Sequence, residues 1–385
     1  MKNKIFYITV YFLIILSAQA FSEELTLERS SYSGAGYLKF GTMESPVVIF
    51  GSDFEYGDFS LGFDVLAIIG DKKPDLIGTV ILRDLEYETG TVGIIYDEVR
   101  DITYGQGLLV KNYTPWARGP ALLSNNSIGL QSYYDGDLFS FDCFGTWSHV
   151  YGARFSQDFF PILILGETII ADVDGFKIKE EGGTLKSVDK TTGYGIDIRS
   201  QIFEDTNFYV EAAKLEDRGG ATALGVIFER DRIFLNTSFS VERRFVDPDF
   251  IPGYFGPFYE DVPIDFSLVD ADGKRKDGYL VAFDVMVLGL VDLDLMLETY
   301  DFGLPAFGGD LRLWSVRDFY LRIFYREPSY RDFRAVDFKD AKTVGGSMTF
   351  GLAPNITSGV HFKKAYNPDL GLIEESGYFD VKYLF

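Results

Sequence analysis

Tyr378-Phe379-Asp380-Val381-Lys382-Tyr383-Leu384-Phe385 ends the chain, and its reading decides the fold. Counted back in twos from the last residue, Phe385, Tyr383, Val381 and Phe379 form one unbroken, large apolar face. The opposite face holds Leu384, Lys382, Asp380 and Tyr378 and is mixed and partly charged. Successive side chains of a strand point to opposite sides. The stretch therefore predicts a strand with one face toward an apolar solvent and the other toward a wetter place. Taken alone it fits both the wall of a membrane barrel and an amphipathic strand of a soluble sandwich.

The other end of the chain weighs on that choice. Lys2 and Lys4 precede a short apolar run, Ile5 to Leu16, followed by Ser17-Ala18-Gln19-Ala20. A basic start, a short apolar core and an Ala-x-Ala site predict a secretory signal peptide over residues 1–20, cleaved after Ala20. The run is too short to cross a bilayer comfortably as a retained anchor. The chain is expected to be exported. Its 58 acidic residues against 36 basic ones give a net charge of −22. That balance argues against nucleic acid, whose phosphates call for Lys and Arg, and against docking on anionic lipid through a basic patch. A single cysteine, Cys143, leaves no intramolecular disulfide and no multi-cysteine metal site. Stability must come from burial or membrane insertion.

No stretch beyond residue 20 reads as a transmembrane helix. The most apolar, Gly278 to Tyr300, contains Asp284, Asp292 and Asp294. Placing each carboxylate in hydrocarbon would cost about 2.5–3.5 kcal/mol even on a mild scale. Read as two strands about a turn at Leu288-Gly289, the segment is consistent. Tyr279, Val281, Phe283, Val285 and Val287, then Val291, Leu293, Leu295, Leu297 and Thr299, share the outer face. Leu280, Ala282, Asp284 and Met286, then Asp292, Asp294, Met296 and Glu298, share the inner one. The same alternation places Phe59, Leu61, Phe63 and Val65 outward, likewise Phe139, Phe141 and Cys143, and Tyr194, Ile196 and Ile198. It continues through Ile233, Leu235, Thr237, Phe239 and Val241, where Phe234 is the misfit, and through Phe319, Leu321, Ile323 and Tyr325. Val344, Gly346, Met348 and Phe350, and Ile356, Ser358, Val360 and Phe362, complete it. Segments of about ten residues with this dyad pattern, separated by turn residues, are the signature of transmembrane β-strands.

Short turns are expected at Asp135-Gly136-Asp137, Arg218-Gly219-Gly220 and Glu229-Arg230-Asp231. Two connections are long, Asp101 to Asn126 and Phe245 to Lys276. The expected architecture is all-β: a transmembrane antiparallel up-and-down β-barrel. At ~9–11 residues per strand it would have roughly 14–18 strands, with about 16 the best single number. Residues 21–33 are expected to form a short periplasmic lead-in and residues 34–385 the barrel.

Ending in an aromatic strand, the chain resembles bacterial outer-membrane β-barrels. In that family the terminal strand closes the ring and is read by the insertion machinery, which would assign that signal to Phe379, Val381, Tyr383 and Phe385. The segment Asp101-Ile102-Thr103-Tyr104-Gly105-Gln106-Gly107-Leu108-Leu109-Val110-Lys111-Asn112-Tyr113 is similar to a Tyr/Leu-Gly-x-Gly…Asn-x-Tyr stretch of uncharacterised porin-like outer-membrane proteins of Gram-negative bacteria. Gly193-Tyr194-Gly195-Ile196-Asp197 and Tyr254-Phe255-Gly256-Pro257-Phe258-Tyr259-Glu260 are similar to stretches of the same group. The resemblance implies residence in the outer membrane. The implied partners are outer-membrane lipid, the barrel-insertion machinery and periplasmic chaperones, with a homo-oligomer allowed. It brings no catalytic, cofactor-binding or metal-binding residue with it.

The residues themselves offer little for catalysis. The only histidines are His149 and His361, too few with one Cys for an ordinary zinc site. Asp247, Asp249, Glu260 and Asp261 supply hard oxygen ligands for calcium, though an acidic solvated loop explains them as well. Ser148-His149 lacks a nucleophile elbow, so no enzyme activity and no cofactor are expected. The informative region is the lumen. Its wall is expected to carry Asp284, Asp292, Asp294, Glu298, Asp310, Arg312, Arg322, Arg326 and Arg244. Acids and arginines on facing parts of a wall create a transverse field that orients polar solutes; the alternative is that they pair off in a filled interior. Tyr104-Gly105-Gln106-Gly107 either folds inward as a constriction or remains an extracellular loop or a bulged strand. The function expected from these features is passive passage of small polar or cationic solutes. The alternatives are a closed structural barrel with binding loops outside, and a barrel hydrolase.

Overall fold

The computed structural model describes residues 28–40, 43–68, 80–99, 101–115, 128–160, 162–179, 185–188, 190–216, 218–248, 250–256, 259, 276–301, 305–315, 319–327, 343–367 and 372–385. Every regular element among them is a strand. In chain order these are β1 (Glu28–Phe40), β2 (Met43–Tyr56), β3 (Phe59–Ile68), β4 (Val80–Glu88), β5 (Val92–Glu98), β6 (Ile102–Tyr104), β7 (Val110–Tyr113) and β8 (Ile128–Asp135). Then come β9 (Phe139–Thr146), β10 (Val150–Phe160), β11 (Leu163–Asp172), β12 (Phe176–Lys179), β13 (Leu185–Val188), β14 (Thr191–Phe203), β15 (Thr206–Leu215) and β16 (Gly219–Arg232). The last eight are β17 (Leu235–Val246), β18 (Lys276–Val287), β19 (Val291–Tyr300), β20 (Ala306–Ser315), β21 (Phe319–Glu327), β22 (Thr343–Ala353), β23 (Ile356–Asn367) and β24 (Leu372–Leu384).

Twenty of these strands form one sheet, while β6–β7 and β12–β13 are separate small hairpins. Each barrel strand pairs antiparallel with the next, and β24 pairs with β1, so the sheet has no free edge. In hydrocarbon every backbone N–H and C=O must be satisfied within the protein, and a closed ring does this with strands. Closure carries through to the last residue, since Phe385 N donates to Ser31 O at 2.9 Å.

The sequence estimate of about 16 strands is corrected to twenty. Alternation is legible in sequence where apolar rows stand out from their flanks. β1 has the small residues Ser33 and Ala35 on its outer face, and β15 breaks its apolar row with Ala212 and Lys214, which weakens the signal. β1 also starts at Glu28, so Glu28–Ser33 belongs to the wall and not to the lead-in ahead of it. There Tyr32 turns inward and donates to Asp64 Oδ1 at 2.5 Å. The expected turn at Glu229-Arg230-Asp231 is strand: β16 runs to Arg232 and meets Leu235 across Ile233-Phe234. Charged residues there extend the ladder past the apolar band, and Phe234 is a misfit because it sits in the turn.

The ends of the barrel differ. Between β2–β3, β4–β5, β8–β9, β10–β11, β14–β15, β16–β17, β18–β19 and β22–β23 the chain turns in a few residues, and both β1 and β24 have their free ends at this rim. The long connections after β3, β5, β11, β17 and β21 all leave from the opposite rim. Outer-membrane barrels place short turns in the periplasm and long loops outside the cell. The outer wall is apolar and exposed at Phe50, Phe141, Phe155, Ile196, Val210, Phe239, Phe283 and Phe379, among others. Cross-strand aromatic pairs such as the diagonal Phe54–Phe63 and the facing Phe228–Phe239, with ring centroids 6.0 and 6.4 Å apart, add about 0.2–1 kcal/mol each to the ladder.

Candidate functional site: a lumen holding two infolded loops

A water-facing barrel interior would carry polar side chains, and in part this one does. On the wall formed by β9–β11 and β14–β17, however, the inner face presents Phe144, Ile170, Ala213, Ala221, Ala223 and Val246, all buried. They are covered by the two long connections. The hairpin β6–β7 turns through Gly105 (φ +67°) and Gly107 (φ +90°), a left-handed backbone that suits glycine. Behind it Leu108, Leu109, Val110 and Tyr113 are fully buried. The second loop lies against it: Val110 and Phe255 form a parallel bridge, Gly253 N donates to Leu108 O at 2.8 Å, and Phe255 N donates to Leu109 O at 3.1 Å. Phe250, Tyr254, Phe255 and Tyr259 join the same cluster. The barrel thus encloses an aromatic core made of its own loops.

Glycines on the wall and at the loop tip make room for it. A Cβ added at Gly193 would stand 2.8 Å from Leu109, and one at Gly105 would stand 2.6 Å from the Glu211 carboxylate. Three wall carboxylates hold the loops. Asp142 on β9 accepts from the Tyr104 hydroxyl, and Asp172 on β11 accepts from the Tyr259 hydroxyl at 2.7 Å. Glu211 on β15 accepts from Gln106 N and Leu108 N, each at 3.1 Å. Burial and the neighbouring carboxylate push the Tyr104 hydroxyl well above its ordinary pKa; burial, Tyr254 and Asp172 do the same for Tyr259.

The opposite wall is ionic. Register sets Asp284 on β18 across from Asp294 on β19, and Asp294 across from Asp310 on β20. Asp292 faces Arg312, and Arg312 faces Arg322 on β21. Like charges directly opposite each other destabilise a sheet, and ion pairs, one diagonal (Arg322–Asp310) and one direct (Arg312–Asp292), relieve them here. Arg322 reaches Asp310 at 2.6 Å, Arg312 reaches Asp292 at 3.4 Å, and Asp101 from the infolded loop lies 3.5 and 3.7 Å from the two arginines. Nearer the apolar core, Arg244 is fully buried between Glu242 and Glu298, the latter at 2.7 Å. Between the two regions lies a cavity of about 170 Å³ lined by Lys111, Asn112, Ser238, Ser240, Asp284 and Asp294. Lys111 forms no salt bridge among the described residues. Burial and the Arg244 charge bring its pKa down to about 8, against the pull of Glu298, Glu242 and Asp294.

The sequence-predicted wall residues Asp284, Asp292, Asp294, Glu298, Asp310, Arg312, Arg322 and Arg244 therefore stand on the inner face. Arg326 pairs in register with Gly308 and Thr343, but its side chain lies outside the described residues. Tyr104, Gly105, Gln106 and Gly107 form the tip of the infolded hairpin. Phe379, Val381 and Tyr383 line the outer face of β24, and Phe385 follows it, exposed. His149 sits in the turn after β9 with its ring 2.7 Å from Asp174, and His361 stacks with Tyr378 on the inner wall. Asp247 accepts from Gly220 N at 2.9 Å; Asp249, Glu260 and Asp261 lie outside the described residues. Sequence reasoning missed Glu211, Asp142 and Asp172. The alternation Tyr209-x-Glu211-x-Ala213 between Phe208, Val210 and Ala212 carried the signal for Glu211.

A closed antiparallel barrel, apolar outside and charged within, with all its long loops at one rim, defines a porin-like β-barrel protein of the bacterial outer membrane. No family model and no curated protein matches the sequence. Among solved structures the chain is similar to OccK11 (OpdR) of Pseudomonas aeruginosa, at 10% identity and a TM-score of 0.40, over 93% of this chain and 96% of that one. It is similar to a BenF-like porin from Pseudomonas fluorescens at 9% identity and a TM-score of 0.40, over 93% and 98%. The outer membrane protein opdK of Pseudomonas aeruginosa aligns at 10% identity and a TM-score of 0.38, over 94% and 99%. The assignment of class rests on the barrel's own geometry.

Proposed function

We propose that this protein is a passive channel for small polar or cationic solutes, narrowed by its own loops. The observation that carries the reading is the division of the lumen. The β6–β7 hairpin and the segment around Phe255 pack on one wall, while β18 and β19 of the charged wall face a cavity where Asp284, Asp294 and Lys111 stand among apolar neighbours. Solutes would pass along that wall, among Asp284, Asp294 and Lys111. At that cavity two carboxylates, Asp284 and Asp294, stand against one ammonium, Lys111, which favours cations, because a narrow, low-dielectric passage focuses the field of one sign. Tyr104, Gly105, Gln106 and Gly107 would act as the constriction, and Phe379, Val381, Tyr383 and Phe385 as the insertion signal. Reconstitution into planar bilayers tests this. Discrete conductance steps with a cation-selective reversal potential are expected, and anion selectivity would sink the proposal.

A second reading has its own support. The aromatic core inside the barrel is buried, as expected of a plug. If that core seals the lumen, the protein is a structural or surface-interaction barrel, and bilayers containing it stay silent.

A further inference from the structure

The cavity beside Lys111 holds more negative charge than its walls answer. On β18 and β19 the register sets Asp284 directly across from Asp294, and Asp292 lies diagonally from Asp284 on the same inner face. The Asp284 and Asp292 carboxylates stand within hydrogen-bond reach of each other. Asp292 is only 9% exposed. Its Oδ2 receives Arg312 at 3.4 Å, while its Oδ1 is buried with no hydrogen-bond partner among the described residues. Two carboxylates in contact need a cation or a shared proton between them, because a buried acceptor left unanswered is costly. Arg322 is taken by Asp310 at 2.6 Å, so Arg312 and Lys111 are the nearby cations that face three carboxylates.

The rest of the lining says what kind of cation fits. Ala282 and Met296 offer no oxygen to a hard metal ion, which takes oxygen ligands on all sides. They suit the carbon of an organic cation instead. Ser238, in register with Asp284, and Ser240, in register with Ala282, bring two hydroxyls to the same space. Neither hydroxyl has a hydrogen-bond partner among the described residues. The chain already contributes one alkylamine to this lining, Lys111. Its stem packs so closely on the loop tip that a Cβ at Gly107 would stand 3.0 Å from its side-chain carbons.

From this arrangement we infer that the cavity between β17, β18 and β19 is a binding site for a small amino alcohol. Its primary ammonium is held by Asp284, Asp292 and Asp294, and its hydroxyl by Ser238 and Ser240. The inference rests on the reading of the lumen as a passage for polar or cationic solutes, and it names the solute class. A primary ammonium has three N–H donors for the carboxylates to accept, and charge-assisted bonds of this kind are the strong ones. A quaternary ammonium has no such donor. An amino acid of the same skeleton brings a carboxylate that the aspartates repel. Lys111 adds a like charge that weakens binding.

The test is calorimetric titration of the full chain, folded in detergent at pH 7, with ethanolamine, and with ethylamine, choline, serine and sodium for comparison. Ethanolamine is expected to bind more tightly than ethylamine, and about tenfold or more tightly than choline, serine or sodium. Ser238→Ala with Ser240→Ala should erase the margin over ethylamine. Asp284→Asn or Asp294→Asn should weaken ethanolamine about tenfold, and Lys111→Met should tighten it. The heat-modifiable band reports that each variant is folded, and the ligand series on the wild type judges the inference even where a substitution unfolds the barrel. No ethanolamine binding, which would leave a shared proton between Asp284 and Asp292, overturns the inference. So does choline or sodium binding as tightly, or a folded Asp284→Asn that binds like the wild type. Conductance in planar bilayers separates the two readings. A conducting barrel that does not bind ethanolamine overturns the site and leaves the channel; a silent barrel that binds it overturns the channel and leaves the site.

Discussion

Glu211 Oε2, on the inner wall of β15, accepts a hydrogen bond of 3.1 Å from the backbone amide of Leu108, in a hairpin 103 residues earlier in the chain. The same oxygen takes Gln106 N at 3.1 Å. One buried carboxylate thus caps two amides at the tip of a loop that would otherwise stand outside the barrel. Because those amides have no other partner in the turn, the contact holds the loop inward.

Glu211→Ala should release that tip. Leaving two buried amides without acceptors costs about 1–3 kcal/mol each, comparable with what holds a single hairpin in place. The expected result is a larger and noisier single-channel step than that of the wild type, with a newly protease-sensitive site near Gln106. An unchanged step would remove Glu211 from the docking role.

Arg244 should matter more for stability than for conduction. It is buried with Glu242 and Glu298, and its loss would leave two carboxylates uncompensated. Removing one partner of a buried pair typically costs about 3–5 kcal/mol. Arg244→Met should lower the denaturant midpoint of the barrel in detergent, and adding Glu242→Gln should restore part of it. Equal midpoints in all three proteins would mean that water already screens the cluster.

Lys111 gives the lumen a pH response. With its pKa down to about 8, the ammonium is present below that value and lost above it. Cation selectivity should therefore increase from pH 7 to pH 9, and Lys111→Met should be selective and flat across that range. For stability the sign is fixed by the lowered pKa. The unfolded chain binds the proton more tightly, so the native state carries a penalty below about 8 that fades as pH rises toward the ordinary value of 10.5. Reversal potentials and denaturant midpoints at the two pH values check both statements.

Deleting Phe385 tests the chain end. Its amide donates to Ser31 O at 2.9 Å, outside the last rung of the β1–β24 ladder, so one bond is lost and the ring remains. Refolding in detergent should be close to wild type, while the amount assembled in outer membranes should fall severalfold. Equal assembly in cells would detach Phe385 from the insertion signal.

How far the sequence reaches depends on the distance over which each feature is set. Alternation is a property of neighbours: the pleat sends Asp284, Asp292 and Asp294 to the face opposite Phe283 and Leu293 whatever the strands pair with. Barrel class, the facing of the charged wall, the Leu288-Gly289 turn and the closing strand were all legible for that reason. Strand number was not, because Ser33 and Ala35 on β1, and Ala212 and Lys214 on β15, interrupt the apolar rows and lower the contrast. Nothing local says what an inward face meets. Phe144 and Ile170 look like wall residues of any strand until Leu109, Tyr113 and Phe255 arrive to cover them. Glu211 meets Leu108, and Asp101 meets Arg312, only after the ring has closed and brought residues more than a hundred positions apart into contact. The sequence alone determined which side of each strand is oily and which is wet. The tertiary structure decided that part of the wet side is filled by the protein's own loops, because that depends on which long-range partners the closed ring presents to them.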